Sequence, residues 1–235
     1  QPSFKIAALE AGARDFISKP FDLLEVHKRI HNMLEVRLLY KELAQYSKQQ
    51  QELALHDPLT GLPNRRLLED RIATTLQHAA RQQHKAAVMY LDLDGFKAIN
   101  DCHGHAYGDE ILKQVAQRLV NSSRREDTVA RVGGDEFVIV MGDVGGLSDA
   151  KEPAAKLIEV IAAPYQVNGL TLQLSTSIGI GIYPDDADDV HALIAVADGA
   201  LYQAKRAGKN RCCWAQQLAT DSSAEVIQKM ASSVA

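Results

Sequence analysis

The chain has 235 residues, 46% of them hydrophobic and 24% charged, which is the composition of a soluble globular protein and excludes wholesale disorder. Its 26 Lys and Arg against 30 Asp and Glu leave a net charge of −4, too weak a bias to call for a nucleic-acid polymer as partner. The longest apolar runs, such as residues 86–91, fall far short of the ~20 residues of a membrane span.

The three cysteines, Cys102, Cys212 and Cys213, lack metal-ligand spacing and read as reduced thiols of a cytoplasmic protein. The chain begins at Gln1 and not at Met, so a segment upstream is expected. At the start, Ile6, Ala7, Leu9 and Glu10 predict a helix that stops at Gly12, and residues 15–19 predict one strand. Pro20 follows, and Asp22 offers a helix cap. From residue 22 to about 55 there is neither Pro nor Gly, which predicts one long helix. Val26, Ile30 and Met33 make one apolar stripe; Val36, Leu39, Leu43, Tyr46, Gln50 and Leu53 then step by three and four, as a coiled-coil seam does. With Tyr and Gln in the seam, the helix is expected to be a modest dimeriser; a solvated linker is the alternative.

His56, Asp57 and Pro58 end that helix, residues 59–66 form a turn, and helices or strands then alternate to residue 214. Helices are expected at 67–83, 109–122, 153–163 and 190–207, with a loop and helix opening at Phe96. Strands are expected at 86–91, 128–132, 137–141, 170–175, 177–183 and 210–214, the second and third joined as a hairpin through Gly133, Gly134, Asp135 and Glu136. This is an α/β (α+β) arrangement of one sheet with helices packed on it. Residues 216–235 are small and polar and read as a loose tail.

Asp92 closes an apolar strand and Asp94 lies two residues on, so both would point the same way if the strand persists. Asp135 and Glu136 sit in the hairpin turn. If these strands are neighbours, three or four carboxylates converge at one sheet edge and repel each other unless a cation compensates. Mg²⁺ prefers such oxygen ligands and keeps sites for phosphate oxygens. Gly133 and Gly134, and likewise Gly104 and Gly108, clear side chains and let backbone approach a ligand.

These residues fall in motifs that resemble those of GGDEF domains, the diguanylate cyclases. RVGGDEF at 131–137 resembles the family signature, and DPLTGLPNR at 57–65 resembles its entry motif. DLDGFKAIND at 92–101, followed by Gly104, His105, Gly108 and Asp109, resembles the central motif. SIGI at 177–180 and ADGALYQAK at 197–205 resemble the later ones, in the family's order over about residues 57–211. The resemblance implies a central, mainly antiparallel sheet of ferredoxin-like kind, similar to the palm of nucleotide cyclases, preceded here by the long helix.

It also implies a reaction: two GTP condense to cyclic di-GMP and two pyrophosphates, across a homodimer, as the 3′-OH of one attacks the α-phosphate of the other. By resemblance, Asp92, Asp135 and the carbonyl of Leu93 hold Mg²⁺ (or Mn²⁺), two ions per active site. Glu136 binds the second ion or helps deprotonate the 3′-OH; which of Asp135 and Glu136 is the base stays open. Asn100 and Asp109 read the guanine edge, with His105 lining the same pocket or packing its loop. Amides around Phe96 and Lys97 cradle phosphates, and Lys205 and Lys209, four apart on a helix face, contact the terminal phosphates. The family more often has Arg at the place of Lys209, and lysine lacks the guanidinium fork.

Arg124 and Asp127 match the family's product-inhibition motif, Arg-x-x-Asp, five residues before Gly133. Arg124 can fork onto phosphate or guanine, and Asp127 can accept from the guanine N–H groups. Residues 8–26, ALEAGARDFISKPFDLLEV, resemble the end of a response-regulator receiver domain, with Lys19 and Pro20 as its switch lysine and following proline; the phosphate-accepting aspartate would lie upstream. The expected organisation is thus a receiver remnant at 1–35, a linker helix at 22–56, a catalytic domain at 57–215 and the tail. The expected function is a cytoplasmic diguanylate cyclase with product feedback. The alternative is a catalytically silent GGDEF module that binds GTP or cyclic di-GMP and signals by contact; the intact Asp92, Asp135, Glu136, Asn100 and Asp109 favour activity.

Overall fold

The computed structural model describes residues 10–12, 20 and 22–215. Apart from 10–12, the helix expected from Ile6, the strand at 15–19 and with them most of the receiver-like segment lie outside the described residues, as does the tail from 216. Two compact units are present, Gln1–Glu52 and Leu53–Ala235. The long helix α1 runs over Leu23–Leu55, and the Asp22 carboxylate accepts the Leu24 amide at 2.8 Å as its cap. On α1, Val36, Leu39, Leu43 and Tyr46 of the expected seam are 51–63% exposed, and the side chains of Gln50 and Leu53 are outside the description. Among the described residues no helix is long and apolar enough to cross a membrane.

The second unit alternates helices and strands as α2 (Arg65–Gln82), β1 (Lys85–Asp94), α3 (Phe96–His103), α4 (His105–Ser122), β2 (Thr128–Gly133), β3 (Glu136–Val144), α5 (Leu147–Ala162), β4 (Tyr165–Val167), β5 (Leu170–Leu172), β6 (Ser175–Tyr183), α6 (Val190–Arg206) and β7 (Cys212–Trp214). Five strands form one sheet in the order β2-β3-β1-β6-β7. All neighbours are antiparallel except β6 and β7, so the mainly antiparallel α/β sheet expected above is present.

Three local expectations change. α5 starts at Leu147 and carries Pro153 inside it, because Ala150, Ala154, Leu157 and Ile161 bury one continuous face, which outweighs the lost amide donor. α4 begins at His105 instead of Asp109, directly after Gly104 at φ +88°. The strand expected at 170–175 ends early: β5 pairs with β4 through Asn168 and Gly169, both left-handed at φ +48° and +82°. This Asn-Gly turn is the local signal for a two-residue hairpin.

β1 sets the layers. Ala87, Met89, Leu91 and Leu93 face one apolar cluster with α4 and α5, while Ala86, Val88 and Tyr90 face another with α2 and α6. The period of two along a strand makes this division, and it also sets Asp92 and Asp94 on the α2/α6 side. α6 lies so close to β6 that a Cβ on Gly179 would collide with the Ala197 carbonyl and the Leu201 amide. Gly179→Ala should therefore cost about 2–3 kcal/mol, lowering the thermal midpoint by roughly 5–10 °C. Gly199→Ala, in open space on α6, should be neutral or slightly stabilising; thermal unfolding of both variants checks this.

Candidate active site

The β1–β3 register sets Asp92 opposite Glu136. Directly opposed side chains share a face of the sheet, and like charges there repel. Asp135 joins them from the turn, its carbonyl accepting the Leu93 amide at 3.3 Å. Burial, then the charge of Asp92, push the Asp135 carboxyl up from its ordinary value. Lys205 Nζ supplies one compensating charge, 2.7 Å from Asp92 Oδ2. Glu136 Oε2 accepts a hydrogen bond from the Tyr90 hydroxyl at 3.2 Å, and burial together with the Glu136 charge raises the Tyr90 phenol.

Beside these carboxylates is an open cleft of ≈ 490 Å³. Its walls bring together Asp92, Leu93, Asp94, Phe96, Lys97, Asp135, Lys205 and Lys209, eight of the residues singled out in the sequence. One detail is corrected. Lys209 is not on a helix face with Lys205, because α6 ends at Arg206. Gly208, at φ +112°, turns the chain, and Lys209 follows in the left-handed region at φ +63°. Both lysines nonetheless border the same cleft.

Asp94 also departs from the expectation. The strand does persist to residue 94 and Asp94 borders the same cleft, but its hydrogen bonds are taken up elsewhere. It accepts from Ser175 Oγ and Ser177 Oγ at 3.0 Å and from the Asn210 amide at 3.1 Å. Thr176 Oγ1, between the two serines, donates to the Asp92 carbonyl at 2.9 Å.

Arg131 holds the turn in place. Its Nε and Nη2 donate to the Gly134 carbonyl at 3.0 and 2.7 Å, while Nη1 donates to both Asp57 oxygens at 2.9 and 3.1 Å. Asp57 also accepts from the Thr60 amide and hydroxyl at 2.8 and 2.6 Å. Burial raises this carboxyl, but the Thr60 hydrogen bonds and Arg131 outweigh it and hold it below its ordinary range. Arg131, Asp57 and Tyr90 were not singled out as site residues by the sequence, whereas Asp94 was, as a member of the carboxylate cluster. Arg131 and Asp57 stand inside quoted motifs, so only their roles were hidden.

Asn100, on α3, and Asp109 and His105, on α4, do not line the cleft. The Asn100 Oδ1 atom is buried and has no protein partner, and a Cβ on Gly108 would occupy its place. Gly108 thus leaves room for Asn100 next to Asp109, which is exposed, as is His105. Arg124 and Asp127 belong to a separate pocket of ≈ 400 Å³, floored by Met89, Ile139, Met141 and Leu157 on the opposite face of the sheet. There the Arg124 amide donates to Asp127 Oδ2 at 2.8 Å, Asp127 Oδ1 is buried without a partner, and burial raises that carboxyl.

Among the described residues no group of three or more His, Cys, Asp or Glu could enclose a metal ion. His103 instead packs on the Tyr107 ring, centroids 5.6 Å apart. Two carboxylates are still the donor set that Mg²⁺ takes when phosphates supply its remaining ligands. Burial first and then the Asp92 charge raise the Asp135 carboxyl, and a cation between two carboxylates lining one cleft would relieve that repulsion, so the residues fit such an ion.

Residues 54–211 match the family described as "Diguanylate cyclase, GGDEF domain". The chain belongs to this family. It is 42% identical over 201 residues to the bifunctional diguanylate cyclase/cyclic di-GMP phosphodiesterase MucR of Pseudomonas aeruginosa, covering 85% of this chain and 29% of MucR. It is 34% identical over 208 residues to the response regulator PleD of Caulobacter vibrioides, covering 87% of this chain and 46% of PleD. The crystal structure of a TpbB (YfiN) variant from Pseudomonas aeruginosa comprising only the GGDEF domain superposes with a TM-score of 0.67 at 40% identity. That match covers 68% of this chain and 94% of the other. The chain therefore spans less than half the length of MucR and of PleD.

The Asp57–Arg131 pair ties the entry motif of this GGDEF domain to its signature turn. Because the folded Asp57 carboxyl is depressed, its contribution to stability is full above the ordinary value of 3.8 and is lost as pH falls through the lower folded value. Asp57→Asn should cost about 2 kcal/mol at neutral pH. Denaturant unfolding at neutral and acidic pH should show the gap between parent and variant closing as the parent is acidified.

Proposed function

We propose that this chain is a diguanylate cyclase that condenses two GTP into cyclic di-GMP and two pyrophosphates. The observation that carries the reading is the set Asp92, Asp135 and Glu136 at the end of the β1–β3 ladder, beside a cleft bordered by three lysines. Lys97, Lys205 and Lys209 supply positive charge for a triphosphate, and the cleft side of Gly95 and Phe96 leaves backbone open to its oxygens. Asn100, with its unpartnered buried oxygen, and Asp109 take the guanine edge, with His105 at the rim. Asp92, Asp135 and the Leu93 carbonyl hold divalent ions, Mg²⁺ or Mn²⁺ and two per site in this reading. When bound, they polarise the α-phosphate and neutralise the leaving pyrophosphate. Glu136, held by Tyr90, is free at its other oxygen to bind the second ion or to accept the 3′-OH proton.

One domain holds one GTP, so the reaction needs two chains face to face. The exposed apolar residues of α1 support a homodimer joined through that helix as a coiled coil. The match to a protein named response regulator, over 208 residues, supports reading the N-terminal segment as the end of a receiver in a cytoplasmic signalling protein. Arg124 and Asp127, which line one pocket and leave a buried carboxylate oxygen without a partner, are the product-inhibition site.

The test is to incubate the purified chain with GTP and Mg²⁺ and separate the nucleotides; cyclic di-GMP is the expected product. Glu136→Gln removes one charge at nearly constant volume and should lower turnover at least ~100-fold with the thermal midpoint nearly unchanged. GTP bound without turnover by the parent would favour the silent module instead.

Feedback is tested separately. Arg124→Ala should leave the initial rate close to the parent's while product accumulates past the point where the parent stalls. Calorimetry with cyclic di-GMP should show at least a ~10-fold loss of affinity, as expected for a lost charge-assisted contact. Unchanged affinity would remove Arg124 from that site.

A further inference from the structure

The geometry points to Asp94 as the positioning residue of the phosphate-binding lysine loop, acting through Lys209 and not as a metal ligand. This rests on the proposed triphosphate cleft. Asp94 is 8% exposed, yet all its hydrogen bonds go to groups outside the carboxylate cluster. Two come from β6, Ser175 Oγ and Ser177 Oγ, the latter reaching both carboxylate oxygens at 3.0 Å. The third comes from the Asn210 amide at 3.1 Å. Ser177 is itself fully buried, so the acceptor is fixed from β6 while the donor from the loop is drawn onto it.

That loop needs an anchor. Gly208, Lys209 and Asn210 are consecutive left-handed residues at φ +112°, +63° and +49°. Two of the three carry side chains, for which this conformation is unfavourable unless the surroundings hold it. Lys209 donates its amide to the Ala204 carbonyl at 3.1 Å, and its own carbonyl accepts from Arg211 Nε at 3.1 Å. Asn210 has the Asp94 contact. Breaking it frees the segment to relax toward ordinary φ values, and the Lys209 ammonium then leaves the cleft. Meanwhile Asp92, two residues earlier on β1, pairs with Lys205. One strand end thereby fixes both lysines, one by an ion pair and the other through a backbone amide.

The experiment measures binding of 3′-deoxy-GTP and 3′-deoxy-GMP to the whole chain by calorimetry with Mg²⁺; neither has the hydroxyl that reacts. The readout is the ratio of the two affinities, which isolates what the outer phosphates contribute. Asp94→Ala should lower this ratio about tenfold, the size of a lost charged contact, with monophosphate affinity unchanged. Asp94→Asn keeps an acceptor for the Asn210 amide, and the serine hydroxyls can rotate, so it should stay within about twofold of the parent. A metal ligand behaves otherwise, since the amide variant also loses the negative charge that holds the ion.

Lys209→Ala should lower the ratio by a similar factor, and Asp94→Ala added to it should lower it no further. If Asp94→Ala does not fold, Ser177→Ala makes the same comparison: a loss of a few-fold alone and none in the Lys209→Ala background. Additive losses, or Asp94→Asn as weak as Asp94→Ala, overturn the assignment. A parent that binds both nucleotides alike overturns the phosphate cleft itself, whatever the variants do.

Discussion

The register of β1 against β3 is the constraint on which this structure turns. It sets Asp92 opposite Glu136 and brings Asp135 alongside, three acids at one end of the two strands. Such a group is unstable without positive charge, and the protein supplies only part of it, through Lys205. A slip of one residue would send Asp92 to the α4/α5 face and abolish the site, because successive side chains alternate. Apolar packing on both faces forbids the slip: Met89 and Leu91 are buried on one side, Val88 and Tyr90 on the other.

Everything near this end is tied back to it by polar contacts from distant sequence. Arg131 joins the Gly134 carbonyl to Asp57, 74 residues earlier in the chain. Tyr90, from the middle of β1, reaches diagonally to Glu136. Asp94 links β6 and the loop after α6 to the end of β1. These groups hold the carboxylates and lysines of the cleft in one arrangement, the preorganisation from which the proposed reaction would gain.

The same strand also faces the second pocket. Met89 is part of the floor beneath Arg124 and Asp127, and three residues on Asp92 stands at the cleft. The two sites therefore lie on opposite faces of one sheet, close along β1. A ligand seated against Met89, Ile139 and Met141 touches the strands whose ends carry Asp92 and Glu136.

Much of this was legible in the sequence by itself. The lack of Pro and Gly over residues 22–55 determined α1, and alternating apolar segments determined the sheet with its helices. The glycine-flanked acids Asp92, Asp135 and Glu136 pointed to a cation and phosphate chemistry, and the motifs around them resemble those of GGDEF domains. Eight named residues meet in one cleft. The Asn-Gly turn before β5 carries a local signal that the expected strand at 170–175 passed over.

Other features exist only in three dimensions. Pro153 argued for a helix start, and the buried face of α5 overrode it. Lys209, read as helical by its spacing from Lys205, is in a left-handed loop because Gly208 ends α6 first. Asp94 looked equivalent to Asp92 by strand periodicity. Its environment differs because Ser175, Ser177 and the Asn210 amide reach it from 81 to 116 residues away. Local pattern reports which face of an element a side chain occupies; only the packing of remote segments decides what waits for it there.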